Sequence, residues 1–229
     1  MLRFVREAFR DIRHTGSVWP SSPALAKAMT KGMMALRGHR RILEVGPGTG
    51  PFTERILKQL RRGDRFDVVE MNSAFCRDLE RRLLKPFRHQ RSDIEVVLHE
   101  AAIQDADLPG EYDLVVCGLP FNNFPPTLVR SIFRRMMRLL RDGGELAYFE
   151  YAGVRTIKAP LVGERGRQRL KGIGHVGESL RRRFDGRREL VLGNLPPAVA
   201  TRLCKRSGKK PPRTREAASS GRRRRGRAA

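Results

Sequence analysis

Three glycines at alternate positions follow an apolar run in the first quarter of the chain. Residues 41–45 read as a buried strand, and the turn after it carries Gly46, Gly48 and Gly50 before a helix begins. Because glycine has no Cβ, such a turn lets the backbone approach a ligand closely. A dinucleotide-binding fingerprint would place its last glycine where Pro51 stands. The turn therefore predicts a ligand site with G-x-G-x-G spacing.

An acidic residue, Glu70, ends the next predicted strand at residues 66–70. A carboxylate in that place can accept hydrogen bonds from both hydroxyls of a ribose, as it does in dinucleotide sites. The G-x-G-x-G spacing resembles the first motif of the seven-stranded methyltransferase fold, where the turn supports the methionine and ribose portions of S-adenosyl-L-methionine. A glycine-rich turn in another nucleotide-binding α/β protein is the alternative.

The same resemblance assigns further residues to this cofactor and implies no metal ion. Glu44, just before the turn, would lie near the amino-acid end of the cofactor. Glu100, after the third predicted strand, would face the adenine amino group with Ala101 beside it. Gly118, after the fourth predicted strand, would border the same site.

The fourth predicted strand, residues 112–117, continues into Gly118-Leu119-Pro120-Phe121. Enzymes that methylate the exocyclic amines of bases carry Asn or Asp two residues before this proline and an aromatic residue after it. Their Asn or Asp accepts a hydrogen bond from the amine while the ring stacks on the base. Gly118 stands at the first position, so the group that specifies a base amine is missing, whereas Phe121 supplies the ring.

The G-L-P-F motif occurs together with G-S-V-W-P-S-S-P-A-L-A-K-A-M before the first strand and N-L-P-P-A near the end. In this combination, over about residues 1–204, the chain resembles the bacterial soluble phospholipid N-methyltransferases, which are related to ribosomal RNA adenine dimethylases. The resemblance implies successive methylation of the amine head group of a membrane lipid. That lipid is phosphatidylethanolamine in most of these enzymes and an ornithine lipid in some relatives.

An alkyl amine with a pKa of about 10 is mostly protonated at neutral pH, so a proton must leave before the nitrogen can attack. We expect Tyr151, and then Tyr148, to hydrogen bond the amine or take its proton. Tyr151 and Phe121 could also face the growing cation. Further candidates for the proton transfer are Glu150, His99 and His175.

The head group also carries an anion, which Arg155 and Lys158 are predicted to bind through charge-assisted hydrogen bonds. These two residues follow the fifth predicted strand most closely, and ligands of open α/β sheets bind at strand ends. Other basic residues of the same stretch are Arg165, Arg167, Arg169 and Lys171.

Strands and helices alternate regularly, which predicts an α/β fold: a seven-stranded, Rossmann-like, mostly parallel sheet closed by a C-terminal antiparallel hairpin. Residues 1–40 are predicted to form an amphipathic helix and a capping helix, residues 41–204 the methyltransferase domain, and residues 205–229 a disordered basic tail. The capping helix should begin with Ser22 as N-cap and Pro23 at its first position and run to about Leu36. Residues 152–177 are expected to form a loop with short helical pieces.

A basic amphipathic helix is predicted over residues 2–13, with Leu2, Val5, Phe9 and Ile12 on one face. It could lie in an anionic membrane surface, which attracts each nearby basic residue by about 1 kcal/mol. An ordinary helix that covers the edge of the sheet is the alternative.

The net charge of +24 predicts attraction to polyanions without saying which, and the tail alone carries eleven Lys or Arg and one acidic residue. The three cysteines form no C-x-x-C pair, which disfavours a zinc site and a disulfide framework. We expect a cytoplasmic enzyme at the inner face of the membrane. The alternatives are a ribosomal RNA adenine N6-methyltransferase, bound electrostatically to RNA, and a non-enzymatic scaffold that coats anionic surfaces.

Overall fold

The computed structural model describes residues 21–152 and 164–206, and the side chains of residues 164, 165, 167, 169 and 170 are outside this description. Seven strands lie within it. They are β1 (Arg41–Val45), β2 (Arg65–Glu70), β3 (Glu95–Glu100), β4 (Tyr112–Cys117), β5 (Leu140–Tyr151), β6 (Arg187–Val191) and β7 (Ala198–Cys204). They form one sheet in the order β3-β2-β1-β4-β5-β7-β6, in which β7 alone runs antiparallel to its neighbours. The predicted fold class, including the closing hairpin, is confirmed.

Helices cover both faces of this sheet. The described α-helices are α1 (Pro23–Met29), α2 (Pro51–Leu57), α3 (Ser73–Leu79), α4 (Lys85–Gln90), α5 (Pro126–Leu139) and α6 (Glu164–Arg183). Two 3-10 turns, Lys31–Met34 and Phe121–Asn123, and a π-helical turn, Glu80–Leu84, connect some of them. No helix of the described chain is both long and apolar enough to cross a membrane.

The start of α1 follows the sequence prediction. The Ser22 hydroxyl accepts a hydrogen bond from the amide of Leu25 at 3.1 Å, and Pro23 occupies the first helical position. The predicted end near Leu36 is wrong, because the α-helix ends at Met29 and a 3-10 turn follows. Gly32 in that turn lies so close to β5 that a Cβ there would meet the Glu145 carboxylate.

The segment predicted as a loop over residues 152–177 contains most of a long helix, because α6 begins at Glu164. Its glycines disfavour a helix in isolation, but Ile173 and Val176 are buried against α5. Gly172 also lies against the start of α5, where a Cβ would come within 2.8 Å of Pro126. Tertiary packing therefore outweighs the low intrinsic helix propensity of this segment.

The boundary of the predicted tail also shifts. The backbone of Lys205 bonds to Gly143 and Gly144 at 2.8 and 2.9 Å, so the ordered chain continues past β7. These glycines lie in a bulge that lengthens β5 to Leu140, whereas the alternating apolar pattern predicts a start at Glu145. Residues 2–13 and 207–229, where the predicted membrane helix and most of the predicted tail fall, lie outside the described residues.

A buried ion pair fixes the ends of β1 and β2 opposite the glycine turn. Arg40 and Asp64 are each 1% exposed. The Arg40 Nε donates to both carboxylate oxygens of Asp64, at 3.2 and 3.0 Å, while its terminal nitrogens donate to the carbonyls of Met33 and Gln59. Asp64 also accepts from the amides of Arg40 and Arg61. The partners of the two side chains belong to four segments of the chain, which the pair therefore joins. Because every charged atom of the pair has a hydrogen-bond partner, the burial of the two charges is compensated.

We therefore expect Asp64→Asn to lower the free energy of unfolding by about 3–5 kcal/mol, because it leaves the Arg40 charge buried without a counterion. Urea denaturation followed by far-ultraviolet circular dichroism measures this loss. The matched control is Asp93→Asn, which breaks the exposed pair with Arg91 and should change stability little. Equal effects of the two substitutions would show that the Arg40–Asp64 pair does not support the fold.

Candidate active site

A narrow cavity opens where the carboxyl ends of β1, β2, β3 and β4 meet. Ligands of open α/β sheets bind at this edge. The lining residues come from the ends of these strands, the turns that follow them and the inner face of α5: Val45, Gly46, Val69, Glu70, Met71, Ala101, Ala102, Ile103, Gln104, Leu119 and Ile132. The cavity is mostly apolar on its walls and carries the predicted acidic residue Glu70 at its rim. Four predicted cofactor residues are thus near one another: Gly46, Glu70, Ala101 and, beside the cavity, Gly118.

The turns after β1 and β4 pack backbone against backbone. Gly46 has a φ of 69°, and a Cβ there would lie 2.3 Å from Leu119. A Cβ on Gly118 would lie 2.4 Å from the carbonyl oxygen of Gly46. Gly118 is therefore a steric requirement of this turn. Gly48 differs, since a Cβ there would meet nothing within 4 Å, but its φ of 57° still favours glycine.

Glu70 holds the glycine turn in place. Its carboxylate accepts hydrogen bonds from the amides of Gly48 at 3.2 Å and Asn72 at 2.8 Å, and the residue is 3% exposed. Burial raises the pKa of Glu70, while the backbone hydrogen bonds lower it in part. A carboxylate fixed by two amides at a cavity rim is suited to accept from a bound diol, as the sequence predicts.

Glu44 is fully buried beneath the turn, on the face of β1 that packs against α2. One oxygen accepts from the Thr53 hydroxyl at 2.7 Å, whereas Oε1 is buried without a hydrogen-bond partner in the described chain. Burial is the main cause that raises the pKa of Glu44 to about 8, and the Thr53 hydrogen bond opposes it. A carboxyl with one free oxygen at this place could bind a cationic group of a ligand.

Sequence reasoning missed several residues that line the cavity. Met71, Ile103 and Gln104 border it, and the Gln104 Nε2 is buried without a hydrogen-bond partner among the described residues. That amide offers a free donor toward a ring nitrogen or carbonyl. Glu100 does not line the cavity, because its side chain is exposed and accepts a hydrogen bond from Ser73. In the sequence, only the place of Ile103 and Gln104 shortly after the third predicted strand could have indicated that they line the cavity.

The predicted catalytic aromatic residues fall on two sides of the sheet. Phe121 and Tyr148 lie together, with ring centroids 6.2 Å apart, and both pack against Phe133 of α5. Tyr151 points to the other face of β5, where it packs against Phe149 at 5.3 Å. The structure therefore brings Phe121 and Tyr148 together but not Tyr148 and Tyr151. Successive side chains of a strand point to opposite faces of the sheet. Because residues 148 and 151 are three positions apart, the sequence already predicts that their side chains lie on opposite faces.

Phe121 and Tyr148 are also more enclosed than the prediction implies. Their exposed fractions are 3% and 1%, and the Tyr148 hydroxyl is buried. Burial raises the pKa of Tyr148, and Thr201 and Arg181 nearby lower it in part. These rings form part of the hydrophobic core, and neither of them lines the cavity.

The two histidine candidates are used elsewhere. The His99 Nε2 lies 2.8 Å from the carboxylate of Asp67, which also accepts from Tyr112 and Arg65. This cluster lies within the sheet rather than at its carboxyl edge. His175 is exposed on α6 and lines a separate groove. Neither histidine lines the cavity, and their predicted role in proton transfer stays a prediction.

Glu150 is 8% exposed on the same face of β5 as Tyr148. Lys171 is exposed on α6. Arg155 and Lys158 lie outside the described residues, as do the side chains of Arg165, Arg167 and Arg169. Their predicted role in binding an anion stays a prediction.

Residues 43–146 match a family model described as a methyltransferase domain. The chain is 29% identical over 146 residues to ornithine lipid N-methyltransferase of Singulisphaera acidiphila, which covers 62% of this chain and 72% of that protein. It is 30% identical over 120 residues to ribosomal RNA small subunit methyltransferase A of a Synechococcus species. That match covers 51% of this chain and 39% of the relative, well under two thirds of its length.

Among solved structures, an O-methyltransferase from Bacillus cereus in complex with SAH aligns with a TM-score of 0.59 and 15% identity. The alignment covers 89% of this chain and 91% of that one. At this identity the likeness shows the fold alone.

The raised pKa of Glu44 gives stability a defined pH dependence. Between pH 4.5 and 8 the unfolded chain releases this proton while the folded chain keeps it, so this group makes stability fall as pH rises. Glu44→Gln removes this titrating group, so the free energy of unfolding of the variant should not fall with pH on its account. Relative to the parent, it should therefore rise by a few kcal/mol between pH 5 and 8, at about 1.4 kcal/mol per pKa unit. Urea titrations at several pH values measure the difference. A pH-independent difference, equal to that of the exposed α2 variant Glu54→Gln, would contradict the burial of the Glu44 charge.

Proposed function

Because this chain is an S-adenosylmethionine-dependent methyltransferase, we propose that it methylates the amine head group of a membrane lipid. An ornithine lipid or phosphatidylethanolamine is the acceptor, and the enzyme acts at the cytoplasmic face of the membrane. The bound cofactor supplies an electrophilic methyl group on a sulfonium. The residues of this chain must hold the cofactor, bring a neutral amine in line with that methyl group and exclude water.

The observation that carries this proposal is the glycine at position 118. A base amine would need an Asn or Asp there to accept its hydrogen bond. A Cβ at this position would meet the Gly46 carbonyl at 2.4 Å, so this turn has no room for such a side chain unless the cofactor turn moves. An alkyl amine has no ring edge to be read and does not require that group.

The relatives support a lipid acceptor more than an RNA acceptor. The relative named for ornithine lipid shares 72% of its length with this chain, whereas the relative named for ribosomal RNA shares 39%. RNA remains the alternative acceptor, which the net charge of +24 and the second relative favour.

An exposed apolar tip at the carboxyl edge of the sheet also supports a lipid acceptor. In the turn between β6 and β7, Leu192 and Leu195 are 73% and 71% exposed. Since β6 runs parallel to β5, this turn lies at the carboxyl edge of the sheet. Asn194 anchors it by accepting from the Ser22 amide at 2.8 Å. Two solvent-exposed leucines on the same edge of the sheet as the cavity are suited to contact acyl chains at a membrane interface.

In this proposal the described residues have separate roles in binding the cofactor and the acceptor. Glu70 would accept hydrogen bonds from the ribose hydroxyls of the cofactor, and the unpartnered oxygen of Glu44 would bind its ammonium group. The acceptor nitrogen must have lost its proton before it can accept a methyl group. Tyr148 and Tyr151 stay candidates to hydrogen bond the amine, and Phe121 to face the product cation.

Incubation with labelled S-adenosylmethionine tests the acceptor. Purified protein is mixed with vesicles that contain phosphatidylethanolamine or ornithine lipid, and in parallel with ribosomal RNA. We expect label in the lipid fraction, and Glu70→Ala should reduce it at least about tenfold because the diol loses a charged hydrogen-bond acceptor. Label in RNA alone would contradict the lipid proposal while leaving the methyltransferase assignment intact.

Vesicle flotation tests the apolar tip. The double variant Leu192→Ser/Leu195→Ser should bind vesicles at least about tenfold more weakly, because burying each leucine is worth about 1.5–3 kcal/mol. Methylation of a short-chain, water-soluble acceptor should be unchanged. Leu190→Ser is the matched control, since Leu190 is 57% exposed on the same hairpin but within β6. Unaltered flotation of the double variant would exclude a membrane role for this tip.

A further inference from the structure

A second concave site lies between α5 and α6, on the flank of the molecule. This α5–α6 groove measures about 520 Å³, within the range of about 300–1,000 Å³ that small-molecule sites occupy. It shares no lining residue with the cavity at the carboxyl ends of β1 to β4, which is the proposed cofactor site and is called the cofactor cavity below. The carboxyl ends of α5 and α6 lie near Lys205, which follows β7. The groove therefore extends toward the edge of the sheet opposite the cofactor cavity. The site is therefore separate from the methyl-transfer site.

The rim of the groove is cationic. Arg130, Arg134 and Arg138 follow one another at four-residue intervals along α5, so their side chains form one exposed stripe. Like charges at this spacing destabilise a helix. In the described part of the chain no carboxylate lies within ion-pair distance of any of the three. Arg183 of α6 adds positive charge on the other side, as does Lys205, whose Nζ lies 3.9 Å from the Asp142 carboxylate. Among the described residues, none that lines the groove is acidic.

The floor of the groove is apolar. Phe133 and Met137 come from α5, and Val176, Leu180 and Phe184 come from α6 or the residue after it. The Phe133 ring packs against Phe121 and Tyr148 and is 2% exposed, so it cannot stack on a nucleic acid base. A ligand that fills this groove must therefore combine an apolar portion with an anionic end.

We propose that the α5–α6 groove binds a single anionic amphiphile, with its acyl chain on the apolar floor and its phosphate or carboxylate among the arginines of α5. Guanidinium groups bind both kinds of anion through charge-assisted hydrogen bonds. Such a ligand also relieves the repulsion along the arginine stripe. This site is independent of the acceptor that the enzyme methylates.

Calorimetric titration of the full chain tests the site. The probes are lysophosphatidylglycerol and oleate below their micellar concentrations, uncharged monooleoylglycerol, inorganic phosphate and a short single-stranded RNA. We expect the two anionic amphiphiles to bind and their relative affinities to tell a phosphate head group from a carboxylate. Affinity for lysophosphatidylglycerol should rise as its chain lengthens from eight to sixteen carbons, since burial of each CH₂ contributes to binding.

Two variants with the same change in charge locate the binding. Arg134→Gln/Arg138→Gln should weaken binding of lysophosphatidylglycerol by about tenfold or more. Arg187→Gln/Arg188→Gln, on exposed residues of β6, should change it less than about twofold. Cofactor binding and thermal unfolding report whether each variant remains folded.

Three results would overturn the proposal. Equal loss of affinity in both double variants would mean attraction to the overall charge rather than a site. Affinity that is independent of chain length, or matched by inorganic phosphate, would exclude the apolar floor. Binding of RNA with no binding of the amphiphiles, lost in the α5 variant, would make the stripe a nucleic acid surface.

Discussion

The contact between two glycine backbones, Gly46 after β1 and Gly118 after β4, constrains the whole site. Both turns continue the ladder of the strands: the Gly46 amide bonds to Val69 and the Gly118 amide to Val45. The turns therefore cannot separate without breaking the sheet edge. The contact leaves no room for a side chain at either glycine, because a Cβ on Gly46 would meet Leu119 and a Cβ on Gly118 would meet the Gly46 carbonyl.

The polar groups of the interior differ in how completely they are paired. The Asp67 carboxylate accepts from Arg65, His99 and Tyr112, and these donors hold its pKa below the ordinary value despite burial. Asp64 is likewise saturated by its partners. In contrast, Glu44 and Gln104 each keep one buried polar atom free, and both lie close to the glycine turn or the cavity. Saturated groups stabilise the fold, whereas unsaturated ones near a cavity are available to a ligand.

Much of the sheet could be predicted from the sequence, because its signals are local. Apolar runs bounded by turn residues gave β1 and β4 their correct bounds, and the Ser22–Pro23 pair gave the start of α1. Helix α6 could not be predicted, since its stability comes from contacts with α5 that lie far away in sequence. The same reason explains why Gln104 and the α5–α6 groove were missed. The opposite orientations of Tyr148 and Tyr151 follow from the two-residue period of a strand, so the sequence alone is enough to predict them.

Helix α5 separates the two concave sites of the molecule. Neighbouring residues of this helix line different sites: Ile132 lines the cofactor cavity, and Phe133 lines the α5–α6 groove. The helix is fourteen residues long and starts at Pro126, after the 3-10 turn that follows the G-L-P-F motif. Any ligand that displaces it by a fraction of an ångström must do so on both sides, since a packed helix moves as one body. Affinities at the two sites are then thermodynamically linked, and each ligand would alter the binding constant of the other by the same factor.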